Sequence, residues 1–302
     1  MEIWYEGREI SRFVDVEEAV WRDRSRGKAD SVELTLSGAE KWGAWGVKPD
    51  DKLELKGEDW RTGAMFVSAV FPENGTYRIF ASAVPAKGRI GKWASFQGMT
   101  LEQIGTLTAG EIGMGFRLWG LPGETLYRYV MREKETAPAF LERLAKREGA
   151  VLKCWAGQMT MVGIEKAQAR SPGETIRTDW ATPGMDYRRR WDLGTGTLTL
   201  HSPYASATAR DPGETGERTE GSEARTGAEA KRWARGTLLG ENRLRETLEI
   251  TGDFTPRWTA MGRIDTEGPG VLGGKWTIDE VEHDLVREKS RCVLLRNTEG
   301  IE

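Results

Sequence analysis

Few residues in this chain have the type and spacing that catalysis or metal binding requires. The 302 residues include two histidines, His201 and His283, and two cysteines, Cys154 and Cys292. Neither histidine has a second ligand at the spacing of known zinc motifs. Asp284 follows His283, but successive side chains of a strand point to opposite faces, so this pair cannot act together. We therefore interpret His283 as a structural strand residue and His201 as a loop residue.

The cysteines and the glycine-rich segments also lack the surroundings that chemistry needs. A cysteine nucleophile needs a stabilised thiolate, and Cys154 lies in an apolar segment beside Trp155. Segment 270–276 has the wrong glycine spacing for a phosphate-binding loop, and Trp276 stands where Ser or Thr would bind magnesium. A Gly-x-Ser-x-Gly nucleophile elbow is missing. The sequence therefore predicts no catalytic, metal-binding or cofactor-binding residues, no cofactor, and a protein that is not an enzyme.

The composition narrows the classes of partner. Lys and Arg number 44 and Asp and Glu number 47, for a formal net charge of -3. This balance argues against nucleic acid as the main partner, because phosphate binding needs a concentrated basic face. Apolar runs stay below the ~18 residues of a membrane span, and the first residues do not resemble a signal peptide. We expect a protein that neither inserts into membranes nor binds nucleic acid specifically and that assembles in a cytoplasm.

Residues 1–85 have the alternation of short antiparallel strands. In segment 31–36, Val32, Leu34 and Leu36 recur with period two and so share one face. Asn74-Gly75 is typical of a type I′ hairpin turn between two such strands. The pattern predicts a first small β unit, a barrel or a sandwich.

Residues 86–165 mix helix and strand signals. Thr100 and Gln103 match a capping box that opens a short helix. Thr136 is the predicted N-cap of a second helix whose apolar stripe begins at Phe140. A hairpin is predicted after it, over 150–164. We interpret this region as an α+β insert module.

Residues 166–302 return to short strands. The final hairpin is predicted over 275–296, and its apolar phase shifts in a way that predicts a β-bulge near Glu280. A short helix is expected over 229–235. Alanine is the only apolar residue type in 205–227, which predicts a mobile loop or linker there. Together these segments predict a second β-barrel, over 166–302, with this loop inside it.

Three segments of the chain, taken together, resemble one protein family. Segment 136–150 has a Phe-Leu-x-Arg-Leu-Ala-x-x-x-Gly pattern, segment 98–104 resembles a short capped helix, and segment 274–285 ends in Gly-x-aromatic-x-Ile-x-x-Val-x-His-x-Leu. The set resembles the baseplate hub proteins of contractile phage tails and related injection systems, the late control protein D family. Departures occur in segment 289–292, where that family has a Gly-aromatic pair and a Thr, and in segment 166–195.

The resemblance implies a mainly β, α+β protein with two small antiparallel β-barrels and an α+β insert module between them. It implies a homotrimeric ring that adapts a sixfold tail tube to a threefold central spike. The partners would be two further copies of the chain, the tail tube protein, the trimeric spike protein and other baseplate proteins, and the location would be the tail baseplate of a virion. Two alternatives stay open: a tail-tip carbohydrate-binding or receptor-binding module, and a cell-wall hydrolase.

The residue-level expectations concern assembly and packing. Trp42, Trp45 and Val47 lie in a glycine-rich connection, where they could contact a neighbouring subunit or equally cap the first barrel. Four residues are predicted to be structural members of the second barrel's sheet: Trp276, Ile278, His283 and Leu285.

Overall fold

The computed structural model describes residues 1–38, 40 and 46–302 of the chain. The protein is mainly β, with 46% of residues in strands and 19% in helices, and its largest feature is one antiparallel sheet. This confirms the α+β, mainly β class that the sequence predicts. Trp42 and Trp45 lie outside the described residues.

The elements fall in the following order along the chain. The strands are β1 (Glu2–Tyr5), β2 (Arg8–Glu9), β3 (Val16–Arg24), β4 (Ser31–Ser37), β5 (Lys52–Lys56), β6 (Met65–Glu73), β7 (Thr76–Ser82), β8 (Lys92–Thr100), β9 (Gly115–Trp119), β10 (Leu126–Glu135), β11 (Ala150–Trp155), β12 (Gln158–Gly163), β13 (Glu174–Arg177), β14 (Met185–Arg189), β15 (Thr197–His201), β16 (Ser206–Arg210), β17 (Glu217–Gly221), β18 (Glu246–Asp253), β19 (Arg263–Glu267), β20 (Gly274–Asp284) and β21 (Lys289–Arg296). The α-helices are α1 (Leu101–Gly110), α2 (Ala137–Arg147), α3 (Ile164–Gln168) and α4 (Gly227–Asn242).

Three clusters of buried apolar side chains divide the molecule into three units. The first β unit contains strands β1–β7, with a core that runs from Ile3 to Ala83. The second β unit contains β13, β14 and β18–β21, with a core centred on Trp258 and Trp276. The middle unit packs beside them and contains the other strands and helices α1 to α4.

One hydrogen-bonded sheet of 13 strands joins the two β units. Its order is β14-β18-β21-β20-β3-β4-β7-β6-β5-β1-β2, with β19 attached to β20 and β13 attached to β19. The connection between the units is the antiparallel pair β3–β20, in which Val20 faces Asp284 and Arg24 faces Glu280. Arg22 Nε donates across this seam to Glu282 Oε2 at 2.7 Å. The two β units therefore share a continuous backbone ladder.

The turn, the helix caps and the bulge that the sequence predicts are present in the structure. Asn74 and Gly75 have positive φ angles of 50° and 82°, as a type I′ turn between β6 and β7 requires. Thr100 and Gln103 form the complete capping box at the start of α1, and the Thr136 side chain accepts from Ala139 N at the start of α2. The register of β20 against β21 shifts between Ile278 and Glu280, which confirms the predicted bulge.

The stretch 205–227 is not the loop that its composition predicts. It contains β16 and β17, which pair with the two sides of β15 in a three-stranded sheet. Helix α4 packs on β16, and the buried Ala209 and Ala224 belong to the core of the middle unit. Alanines suffice because the helix lies close to the sheet, so small side chains fill the space.

The middle unit draws its core from separate parts of the chain. Buried side chains from 84–167 and from 198–239 form one cluster, together with Met261 and Ile301. Helix α4 crosses close to the end of α2, where a Cβ on Gly236 would lie 2.4 Å from Gly149 N. Residues 197–242 therefore pack with the middle unit rather than with the second β unit. The division of the chain at residues 85 and 165 stays a prediction.

Candidate functional site

The structure places the predicted sheet residues at both ends of β20. Trp276 and Ile278 lie in β20 and belong to the core of the second β unit. His283 lies in the same strand and is fully buried. Leu285 follows the last residue of β20, donates its backbone N–H to Ala19 O and packs against the core of the first β unit. Leu285 therefore belongs to the seam between the units and not to the sheet of the second unit, because β20 ends at Asp284 and a turn begins at Leu285.

His283 is part of an aromatic cluster where β20 meets β3. Its Nδ1 lies 2.8 Å from Ser290 Oγ, and its ring centroid lies 4.9 Å from that of Trp21 and 5.4 Å from that of Phe254. Trp21 in turn stacks on Trp60 at 6.0 Å between ring centroids. Burial lowers the pKa of His283, which favours the neutral imidazole. The ring therefore acts as a packing group that joins the two β units.

A buried ammonium group joins the middle unit to the first β unit. Lys153 on β11 forms ion pairs with Asp23 on β3 and, at 3.2 Å, with Asp30 just before β4. Both carboxylates are buried. Burial opposes the charge on Lys153, but Asp30 and Asp23 raise its pKa, so it stays protonated. Burial raises the pKa of Asp30, and Lys153 limits this rise.

A second buried ion cluster brings all three units together. Asp279 on β20 accepts from Arg26 Nε at 2.8 Å and from Ser25 Oγ at 2.6 Å. Arg243, which follows α4, contributes Nη2 at 3.5 Å and is only 1% exposed. Burial would raise the pKa of Asp279, but Arg26 and Arg243 outweigh it and lower this pKa. Removing Asp279 would leave the buried Arg243 without its carboxylate, so the cluster favours one arrangement of the units.

Helix α2 adds a buried carboxyl group to this region. Glu142 Oε2 accepts the backbone N–H of Leu152 at 2.7 Å. Burial raises the pKa of Glu142 to about 7. Gly27, with a φ of +68°, lies against it, and a Cβ there would be 2.8 Å from the Glu142 Cβ. Only glycine combines this backbone conformation with this close approach.

A concave surface also lies where the units meet, and we call it the junction cavity. Its volume is about 700 Å³. Its lining comprises Trp21, Asp23, Lys56, Gly57, Glu58, Asp59, Trp60, Arg61, Lys153, Trp155, Pro256 and Thr259. Trp60 lies so close to the chain that a Cβ on Gly57 would be 2.0 Å from its Nε1. Trp21 Nε1 is buried and has no hydrogen-bond partner among the described residues.

The ends of the large sheet have a different character. Among the described residues β14 pairs only with β18, and the tryptophans on either side of it, Trp180 and Trp191, are 61% and 76% exposed. The guanidinium of Arg189 lies 4.0 Å from the centre of the Trp191 ring. At the opposite end, the turn between β1 and β2 exposes Glu6. The β14 end therefore exposes tryptophans, whereas the β1–β2 end exposes a charged turn.

Sequence reasoning missed these groups, although one signal was present. Ala19, Trp21 and Asp23 alternate along β3 and are all buried, so period two places an aspartate on the core-facing side. A buried aspartate needs a cation, yet the sequence gives no sign that Lys153 supplies it. Trp180 and Trp191 lie in the stretch that matches the family resemblance poorly.

Groups suited to chemistry are few in the part of the chain that the structure describes. It contains no cluster of three or more His, Cys, Asp or Glu side chains placed to hold a metal ion. Both cysteines are buried, and burial raises the pKa of Cys154 to about 12 and that of Cys292 well above its usual value. Within the described ranges, none of the helices combines the length and apolarity needed to cross a membrane.

Comparisons with known proteins concern the whole fold. No protein-family model and no curated protein matches the sequence. A tail protein from Neisseria meningitidis MC58 has a TM-score of 0.78 at 13% identity, covering 98% of this chain and 95% of its own. The 43 kDa tail protein of prophage MuSo2 from Shewanella oneidensis has a TM-score of 0.75 at 15% identity, covering 98% of both chains.

A third structure comes from a secretion system. The E. coli c3393 protein, described as a type VI secretion component similar to the T4 tail proteins gp27 and gp5, has a TM-score of 0.58 at 14% identity. The match covers 95% of this chain and 74% of that protein. Along nearly its whole length, this chain has the fold of phage tail proteins.

Proposed function

We propose that the protein is a structural baseplate hub of a contractile tail or related injection apparatus, in which three copies form a ring. The observation that carries this proposal is the β3–β20 seam, which holds two β units side by side within one chain. Three such chains would present six β units to a sixfold tube while keeping threefold symmetry for a spike. The likeness to tail proteins over 98% of the chain supports the same role.

The different ends of the sheet support a ring rather than a two-fold dimer. A closed ring of more than two subunits needs a heterologous contact, in which two different surfaces of the chain meet. The β14 end carries the exposed Trp180 and Trp191 and three consecutive arginines, Arg188 to Arg190, each paired with a carboxylate of the same chain. The β1–β2 end exposes Glu2 and Glu6 together with Arg8. We propose that these two ends meet between neighbouring subunits.

The ion clusters at the junction suit an adaptor. A hub must transmit force between tube and spike without a change of angle between its units, and charged groups bonded across three units resist such a change. This role needs no catalytic group. The partners we propose are two copies of the chain, a tube protein, a trimeric spike protein and other baseplate proteins, with the location in the tail baseplate.

The role of segment 42–47 stays a prediction. Val47 is half-buried and packs against the core of the first β unit. This contact favours the capping role for Val47 over a role in subunit contacts.

Mass measurement and imaging test the proposed function. The purified chain should form trimers as concentration rises, by sedimentation equilibrium, and images of the particles should show a ring with threefold symmetry. Adding the trimeric spike protein of the same apparatus should produce a complex with three copies of each chain. A chain that stays monomeric at every concentration and forms no complex with the spike protein would contradict the proposal.

A further inference from the structure

The junction cavity has the size and walls of a ligand site. Its volume of about 700 Å³ falls within the roughly 300–1,000 Å³ of small-molecule pockets. Trp60 and Trp155 are half-buried, so each keeps part of its indole available to the cavity. Pro256 and Thr259 of the second β unit complete the wall. All three units therefore contribute to one concave surface.

The charged groups of the cavity are already paired or balanced. In its lining, Lys153 is held between Asp23 and Asp30. The lining also includes two cations, Lys56 and Arg61, and two anions, Glu58 and Asp59, so these four charges balance. A strongly charged ligand beside Lys153 would compete with its ion pairs, which would cost a desolvated charge its compensation. A neutral ligand meets no such penalty.

The polar groups of the cavity favour a ligand rich in hydroxyl groups. Trp21 lines the cavity, and its buried Nε1 has no acceptor in the part of the chain that the structure describes. Asp23 and Lys153 add an acceptor and a donor to the lining. An extended peptide fits less well, because β5 already lies between β1 and β6 and offers it no unpaired edge.

We propose that the junction cavity binds a neutral saccharide of two or three rings. The apolar C–H face of a pyranose ring packs on an indole, and its hydroxyl groups both donate and accept hydrogen bonds. Trp60 and Trp155 supply the aromatic surfaces, and Trp21, Asp23 and Lys153 supply the polar partners. This inference concerns a single chain and does not depend on the ring.

Saturation-transfer NMR and calorimetry with two neutral trisaccharides, maltotriose and tri-N-acetylchitotriose, test the proposal. At least one should bind saturably to the full chain, with transfer to ring protons, and the anionic trigalacturonic acid should bind more weakly. Trp60→Leu and Trp155→Leu should each weaken binding about tenfold, the scale of one lost aromatic contact. Trp93→Leu removes an exposed tryptophan that does not line the cavity and should leave binding unchanged.

A further variant separates a loss of binding from a loss of folding. Gly57→Ala keeps every other lining side chain but displaces Trp60, because the added Cβ would be 2.0 Å from Trp60 Nε1. It should weaken binding while the circular dichroism spectrum stays that of the wild type. The proposal is wrong if neither neutral trisaccharide binds at millimolar concentration, or if binding survives unchanged in Trp60→Leu, Trp155→Leu and Gly57→Ala.

Discussion

The seam between the two β units and the β14 end of the sheet use the same residue types in opposite ways. At the seam and the adjoining ion cluster, Trp21 is 3% exposed and Arg243 is 1% exposed. At the β14 end, Trp180 is 61% and Trp191 is 76% exposed. Tryptophan and arginine are enriched where protein surfaces meet. The seam is therefore a contact completed within one chain, whereas the β14 end has the composition of a contact surface but is exposed to solvent.

The strongest test of the contacts around strand β3 removes the half-buried ammonium group of Lys153. Lys153→Met leaves Asp23 and Asp30 buried without a cation, and breaking a buried pair in this way costs about 3–5 kcal/mol. We expect a loss of that size in the free energy of unfolding, measured with urea. Lys87→Met, at an exposed lysine, is the matched control and should change little.

A triple variant separates the lost charge from the lost packing. Lys153→Met combined with Asp23→Asn and Asp30→Asn removes all three charges together. Because no buried charge is then left unpaired, most of the lost stability should return. A Lys153→Met protein as stable as the wild type would show that the ion pairs do not stabilise the contacts around strand β3.

The β14 end should respond in the opposite way. Trp180→Ser combined with Trp191→Ser should leave the free energy of unfolding of the monomer within about 0.5 kcal/mol, because both side chains are exposed. We expect subunit association to weaken by about 2–4 kcal/mol, the cost of losing interface hot spots. Sedimentation equilibrium measures the second quantity. Equal losses in folding and association would remove the distinction between the two regions.

A pH experiment tests the carboxyl group of Glu142 on helix α2. Burial raises the pKa of Glu142 from 4.5 to about 7. Between these values the folded state holds a proton that the unfolded chain has released, so stability falls as the pH rises through this window. Glu142→Gln keeps an acceptor for Leu152 N and carries no charge. Between pH 5 and pH 8, the free energy of unfolding of this variant should fall by about 1–2 kcal/mol less than that of the wild type.

Thermal unfolding at pH 5 and pH 8 measures how the stability of the wild type and of Glu142→Gln changes with pH. Glu124→Gln changes an exposed glutamate of the middle unit and should follow the wild type at both pH values. A Glu142→Gln protein with the pH dependence of the wild type would show that this carboxyl group does not titrate near neutrality.

The smallest effect is expected at the acidic end of the sheet. Glu6→Lys reverses a charge that we propose to face arginines of the neighbouring subunit. Rim charges contribute about 0.2–1 kcal/mol and are screened by salt. Trimer formation should therefore weaken slightly at low salt and match the wild type at high salt. Unchanged association at low salt would place this end outside the interface.

Local features of the fold were predictable and long-range ones were not. Asn74-Gly75, the Thr100 capping box and the bulge near Glu280 depend on residues within a few positions, and each has the predicted form. The stretch 205–227 was predicted wrongly, because its order comes from β15 and from helix α4, which packs on β16. Composition alone does not show that a helix encoded later will cover those alanines.

The candidate site was harder to predict for the same reason. Asp23 and Lys153 are 130 positions apart, and Arg22 and Glu282 are 260 apart. Alternation along β3 shows that Asp23 faces inward, but it does not show which cation it meets. The junction cavity needs residues from three units, so no single segment carries its pattern.

The seam has a consequence for how the protein is made. Strand β3 leaves the ribosome long before β20, its hydrogen-bonding neighbour, since Arg22 and Glu282 are 260 positions apart. At about 5–20 residues per second, this delay is roughly 10–50 s. Throughout that time the outer edge of a nearly finished N-terminal unit stays open to wrong pairing with nascent chains nearby. The β20–β21 hairpin is thus the element that covers the open edge of β3.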